Sequence, residues 1–230
     1  MRAQVITGTG RYADPWHPYP ATSERLAALL GSAGFDVAVD TDVDGALARL
    51  DGVDLLVVNA GDPWRSEGED PGRAPVTGAP PASAEGLARA LDRGIGVLAL
   101  HAAIASLRDY PSWAPATGAV WLPGVSWHPP RGPVRVHGGT LPDGTPVPDV
   151  AAVDELYQRL QPVGERHVVA WHEHDGRRVA SAWVRRHGAS RVAVDVLGHD
   201  AESYDSASHR ALVTALARWA TRAPGAGAHI

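Results

Sequence analysis

The chain contains no cysteine and no lysine; all 21 of its basic residues are arginine. The first absence excludes disulfides, thiolate metal sites and a cysteine nucleophile. The second excludes a Schiff-base lysine, a Walker A lysine and a lysine general base. A G/C-rich codon preference accounts for the arginine bias, and the chemical exclusion holds whatever its origin. Long apolar runs are also lacking: none approaches the roughly 20 residues that cross a bilayer. The N-terminus passes straight into Ala3-Gln-Val-Ile-Thr7 without a secretory apolar segment, so the expected location is cytoplasmic and no membrane partner is expected. A basic stripe is missing too. The net charge is -5 and the arginines are dispersed, which argues against nucleic acid as a partner.

What is present is a chain of 230 residues, 44% hydrophobic, with 11 histidines and 26 acidic residues. That length and apolar content suit one globular body with a buried core. Any catalysis must then rest on imidazole, carboxylate, hydroxyl or a metal.

Strand and helix signals alternate through the first hundred residues. Residues 3–7 read as a strand, and 23–33 as a helix with Thr22 or Ser23 as N-cap and Gly34 as its stop. Residues 35–39 read as a strand, 44–50 as a short helix and 53–58 as an apolar strand. Ser83 is expected to cap a helix running through Asp92, with Leu87 and Leu91 on one face, and residues 95–100 follow as a strand. This order calls for a parallel sheet wound by helices. Residues 60–81, rich in Gly, Pro and charge, are too long for an ordinary connection and read as a disordered segment or a lid. Residues 110–149 read as an irregular, Trp-rich insertion with one strand at 134–137. Residues 168–174 and 177–185 flank Asp175-Gly176, a strong hairpin signal. A strand at 191–197 and an amphipathic helix at 206–220 complete the pattern. The expected organisation is one α/β domain over 1–222, with a frayed tail at 223–230.

In open α/β sheets, ligands sit outside the carboxyl ends of the strands. His101 stands there, after Gly94-Ile-Gly-Val-Leu-Ala-Leu, where a sharp strand-to-helix turn flanked by Ala102 and Ala103 would lift its side chain to the mouth of the sheet. A general base, an orienting donor or a metal ligand are its available roles; capping the following helix or bonding within the core is the plainer alternative. In Asp154-Glu155-Leu156-Tyr157, an extended backbone puts Glu155 and Tyr157 on one face. They offer an acid/base pair or a hold on a sugar hydroxyl, against an exposed acidic turn beside an anchoring Tyr. His199 follows another strand, with Asp200 beside it to fix its tautomer; alternatively, Asp200 starts a turn and His199 packs on the last helix. His172 and His174 have metal-pair spacing, but their place at a hairpin tip points to a surface role. His128, stiffened by Pro129 and Pro130, and His17, just after the first strand, can reach the same mouth as His101. His137 ends a strand, His187 marks a turn, and His209 and His229 read as surface positions.

The ordered set Gly96-Val-Leu-Ala-Leu-His-Ala-Ala103, Trp127-His-Pro129, Val153-Asp-Glu-Leu-Tyr157, Gly198-His-Asp200 and a closing helix ending in Trp219-Ala220 resembles the ThuA-like (trehalose utilisation) family. The resemblance implies a doubly wound, mainly parallel, flavodoxin-like sheet, similar to class I glutamine amidotransferases, with the antiparallel hairpin added. His101 would stand near the nucleophile position of that superfamily, which here holds no thiol. It also implies a link to the catabolism of disaccharides and their keto derivatives. One departure is His187-Gly-Ala-Ser-Arg191, where family members show a Gly-Lys-Gly-Arg-like hairpin. On this footing the first expectation is a hydrolase or lyase acting on a trehalose-like or keto sugar. His101, Glu155 and His199 would be its catalytic residues, and Tyr157, Trp127, His128, His17 and Asp200 would contact substrate. His101, His199 and Glu155 could hold a Zn-like divalent metal, without thiolates; no nucleotide or pyridoxal phosphate is expected. The second expectation is a non-catalytic sugar-binding or interaction module. The partner in either case is a small sugar or sugar derivative, with homo-oligomerisation left open.

Overall fold

The structure, a computed structural model, describes residues 1–64 and 78–221. Most of the segment 60–81 and the whole of the expected tail lie outside the described residues. The elements are β1 (Arg2–Thr7), α1 (Tyr19–Ser32), β2 (Asp36–Asp40), α2 (Val43–Ala48), β3 (Leu55–Asn59), α3 (Pro81–Arg93), β4 (Gly96–Leu100), α4 (Trp113–Thr117), β5 (Ala119–Val120), β6 (Gly132–Gly138), β7 (Val150–Asp154), β8 (Gln161–Pro162), β9 (His167–His174), β10 (Arg177–His187), β11 (Ser190–Asp195) and α5 (Ala207–Thr221).

The main sheet runs β2-β1-β3-β4-β11-β10-β9-β6-β7. Its first five strands are parallel, in the flavodoxin-like order, and the rest pair antiparallel. β3 and β4 are buried at every residue, as parallel strands covered on both faces must be. On one face Leu26 and Leu30 of α1 pack with Leu212 and Leu216 of α5. On the other lie Leu47 of α2, Leu87 and Leu91 of α3, and Trp113 of α4. The edge strand β2 carries Asp36 and Asp40, charges that discourage pairing with another chain. Among the described residues no helix is long and apolar enough to cross a membrane.

Several expectations need correction. α1 begins at Tyr19 and not at 23, because Pro20 suits a first helical turn, where its missing N–H costs nothing. Thr22 and Ser23 are therefore not caps: their hydroxyls accept from Asn59 Nδ2 at 2.8 and 2.9 Å, and Ser23 Oγ also accepts from Thr7 Oγ1. Ser83 likewise lies inside α3, which starts at Pro81. The insertion 110–149 holds α4 and β5 besides β6, and β7 starts directly after it. His209 is fully buried, and its Nε2 lies 3.0 Å from Asp195 Oδ2.

His172 is buried as well, not at the surface. Its Nε2 accepts from the Gln158 amide at 2.7 Å, which leaves Nδ1–H to donate to Ser181 Oγ at 2.9 Å. Burial, with His174 adding to it, pushes the imidazole down to about 4. The folded state thus holds this ring neutral while the unfolded chain protonates it near its usual value, about 6.5. The resulting stability is present above that pH and is lost as pH falls toward 4, at up to about 1.4 kcal/mol per pH unit. We expect the melting temperature to fall over this window and His172→Asn to flatten the slope; parallel pH profiles for the two proteins would contradict this.

Candidate metal centre

Four loops at one end of the sheet converge on a group of imidazoles. His101, just after β4, has φ +45° and opens a short 3-10 turn, His101–Ile104. A left-handed backbone at a non-glycine residue costs on the order of 1–3 kcal/mol and collects at functional sites. The buried Ala102 and Ala103 leave room for the turn. His101 Nδ1–H donates to the Val196 carbonyl at 2.8 Å, so the lone pair sits on Nε2. Burial, then the proximity of His17, holds this imidazole well below its usual range.

His17 comes from the loop between β1 and α1. The Asp14 carboxylate accepts from His17 Nδ1 at 2.8 Å, from the Trp16 and His17 backbone N–H groups at 2.9 Å, and from the Tyr19 hydroxyl at 2.7 Å. A side chain at Gly61 would put its Cβ 2.6 Å from Tyr19 Oη and 2.8 Å from Asp14 Oδ2. The bare glycine lets the loop after β3 close over this pair. With Nδ1 bound to Asp14, His17 also turns Nε2 inward, 3.1 Å from His101 Nε2. Two facing lone pairs at that distance repel unless a cation or proton lies between them.

His199 follows Gly198, whose φ of +113° only glycine adopts readily. The buried Asp154 at the end of β7 ties the remaining parts together. It accepts from the backbone N–H of Glu155 at 2.8 Å, of Gly198 at 2.8 Å and of His199 at 3.3 Å. Ser203 Oγ donates to it, and His209 Nδ1 lies 2.9 Å from the same hydroxyl. Glu155 then projects among the rings, its Oε2 3.8 Å from His101 Nε2, 3.4 Å from His128 Nε2 and 3.5 Å from His199 Nδ1. Burial pushes the Glu155 carboxyl up, and the facing imidazoles, His128 first, oppose that. Burial and His17 push His199 down to about 4.

Ligand atoms of His17, His101, Glu155 and His199 all lie within 4.8 Å of one another. His199 Nδ1 is buried without a hydrogen-bond partner, and it faces Glu155. Three imidazoles and a carboxylate, with no thiolate, form a donor set that suits zinc or a similar divalent ion. The carboxylate–histidine arrangement of Asp14 and His17 is the usual outer support of a metal-binding ring. We expect Asp14→Asn to weaken divalent-metal affinity by about 10- to 100-fold, measured by competition with a chelating dye; unchanged affinity would show that Asp14 does not orient a ligand.

The other expected site residues divide. Tyr157 Oη lies 2.9 Å from His101 Nε2; its O–H meets that nitrogen's lone pair when no cation does, and is released when one is bound. His128, more exposed than the other rings, stands at the mouth beside Glu155. Trp127 is apart: it is 40% exposed, with its ring 5.4 Å from that of His174. The aromatic wall is Trp121 instead, 4.7 Å from Tyr157 and 5.8 Å from His128, which the sequence marked only as one Trp of the insertion. Asp200 accepts from the Glu202 and Ser203 backbone N–H groups and pairs with Arg131 at 2.7 Å. Its carboxylate shapes the turn, although its charge still raises the His199 imidazole slightly.

A model of a family described as ThuA, trehalose utilisation, matches residues 2–220. A comparison with curated proteins gave no match. Among solved structures, a ThuA-like protein from Parabacteroides merdae has 18% identity and TM-score 0.74 over 96% of this chain and 89% of that one. A ThuA-like protein from Bacteroides uniformis has 15% identity and TM-score 0.63 over 94% and 89%. A β-galactosidase from Halorubrum lacusprofundi has 16% identity and TM-score 0.59 over 95% of this chain but 30% of that one. At such identities the structures share a fold with this chain, and no more is carried over from them.

Proposed function

This chain belongs to the ThuA, or trehalose utilisation, family, a sugar-metabolism family with a class I glutamine amidotransferase-like fold, and from that premise we propose that it is a metal-dependent hydrolase or lyase of an oxidised, carbonyl-bearing disaccharide. The observation that carries the proposal is the convergence of His17, His101, His199 and Glu155, with two inward lone pairs 3.1 Å apart. The metal, when bound, supplies a Lewis acid that polarises the sugar carbonyl.

The chain's own groups do the rest. Glu155 and the three imidazoles would hold the cation, and Asp14, Val196 and Asp154 fix those side chains in place. Trp121 and Tyr157 offer an apolar wall for a sugar ring and keep water from it. His128 is the open base: its Nε2 takes the proton from the carbon beside the carbonyl. The electron pair left behind forms a carbon–carbon double bond as the bond to the glycosidic oxygen breaks. That oxygen leaves with the proton of Tyr157 Oη, and water addition to the double bond completes hydrolysis where the enzyme is a hydrolase. The glutamine amidotransferase reaction is excluded because the sequence has no cysteine.

The test is turnover of keto-trehalose by protein loaded with zinc, with trehalose as control. The proposal expects cleavage of the keto sugar, none of trehalose, and none of either after chelation. Keto-sugar binding without cleavage would instead support a non-catalytic sugar-binding module.

A further inference from the structure

We propose that the groove between the tip of the β9–β10 hairpin and the segment 158–166 binds an anionic sugar, one carrying a carboxylate or a phosphate. The groove encloses about 620 Å³ and is lined by Arg159, Arg166 and Arg177 together with Trp127 and His174. That volume suits a monosaccharide or disaccharide. In a chain of net charge -5, four guanidinium groups line this groove, the fourth being Arg178, which stacks over Trp171 at 4.6 Å, and among the described residues no carboxylate lies within ion-pair distance of any of them. The acidic residue of the lining, Asp175, pairs with His174 at 3.5 Å.

Arg166 is the clearest case. It is half-buried, donates to the Gly118 carbonyl at 3.1 Å and stacks over Trp183 at 4.5 Å. Burial and the nearby Arg185 both push its guanidinium down, a penalty that an anion in the groove would reverse. Arg159 holds φ +54°, a left-handed backbone rare for a long side chain. Its carbonyl is fixed by Ser126 Oγ at 3.0 Å and Gln161 Nε2 at 2.7 Å, while its side chain remains exposed. Planar guanidinium forks match carboxylate and phosphate oxygens. The exposed Trp127 adds a flat face for a pyranose ring.

The groove adjoins the metal centre through two backbone pairs. Trp127 and Gln158 form a bridge, with N–H to carbonyl distances of 3.3 and 2.7 Å. Their neighbours His128 and Tyr157 face the imidazole cluster, so each pair sends one side chain to either site. The sugar part of this inference rests on the sugar-catabolism reading; the anion part rests on the arginines alone.

Calorimetric titration of the full chain with glucose 6-phosphate, glucuronate, glucose and inorganic phosphate tests it. At least one anionic sugar should bind about tenfold or more tightly than both glucose and inorganic phosphate, and which one does so identifies the charged group. Arg159→Gln/Arg177→Gln and Trp127→Ala should each weaken that binding by about tenfold, whereas His101→Ala should leave it unchanged. Equal binding of glucose or of inorganic phosphate, wild-type binding by the arginine variant, or loss of binding in His101→Ala would overturn the inference. Zinc uptake by the same samples reports on the centre separately: protein that takes up no zinc when loaded yet still binds the anionic sugar defeats the metal-dependent reading and not this one.

Discussion

His101→Ala is expected to lose its divalent metal and all turnover of the keto sugar while its melting temperature moves by no more than about 2–4 °C, the change that 1 kcal/mol produces in a domain of this size. The ring supplies one of the two inward Nε2 lone pairs, and its other nitrogen is committed to Val196. Alanine removes that nitrogen and with it one donor to the Val196 carbonyl, a loss of about 1 kcal/mol. Glu155→Gln should act in the same direction, because an amide oxygen is a poorer ligand than a carboxylate and its charge is gone. Elemental analysis and differential scanning calorimetry on the same preparations separate the two effects. Full metal content in His101→Ala, or undiminished turnover in either variant, would sink the assignment.

His209→Ala should behave oppositely, with a large loss of stability. His209 and Asp195 are fully buried and 3.0 Å apart, and His209 also bonds Ser203, which holds Asp154. Removing one partner of a buried ion pair costs about 3–5 kcal/mol, because the other charge is left without compensation. The melting temperature should therefore fall by about 10 °C. The pH dependence follows from the sign of the shift. Burial opposes protonation of His209, but Asp195 and Asp154 outweigh it and raise the imidazole above its usual value. Its contribution is complete below about 6.5 and is lost as pH rises through the raised folded value. Wild-type protein should thus lose stability on the alkaline side, and His209→Gln should not show that slope. A His209→Ala melting temperature equal to wild type would contradict the buried ion pair.

The parts of the fold legible in the sequence are those where burial leaves a clear pattern. β3 and β4, covered on both faces, appear as unbroken apolar runs, and Gly34 and Gly94 follow α1 and α3 with positive φ. β7 was not legible: Val150-Ala-Ala-Val-Asp154 is an edge strand whose buried residues are its two ends, so it shows no alternation. His209 misled for a related reason. A polar residue on a helix reads as solvent-facing, and its partner Asp195 lay hidden at the end of an apolar strand.

At the site, the strand-end rule brings out His101 and His199, and resemblance brings out Glu155 and Tyr157. His17 reads as a substrate contact, while the geometry groups its ring with His101, Glu155 and His199, their ligand atoms within 4.8 Å of one another. The signal available was Asp14 three residues before His17, a spacing that the turn closes into a hydrogen bond. Trp127 and Asp200 sit next to site residues in sequence yet face elsewhere, since neighbours in an extended segment or a turn point different ways.

The most direct measurement is an anomalous difference map from crystals grown with zinc, recorded on both sides of the zinc absorption edge. One peak is expected, enclosed by His17, His101, His199 and Glu155, absent below the edge and absent from His101→Ala crystals. Zinc-saturated crystals with no density among those four residues, or with zinc bound elsewhere, would contradict it.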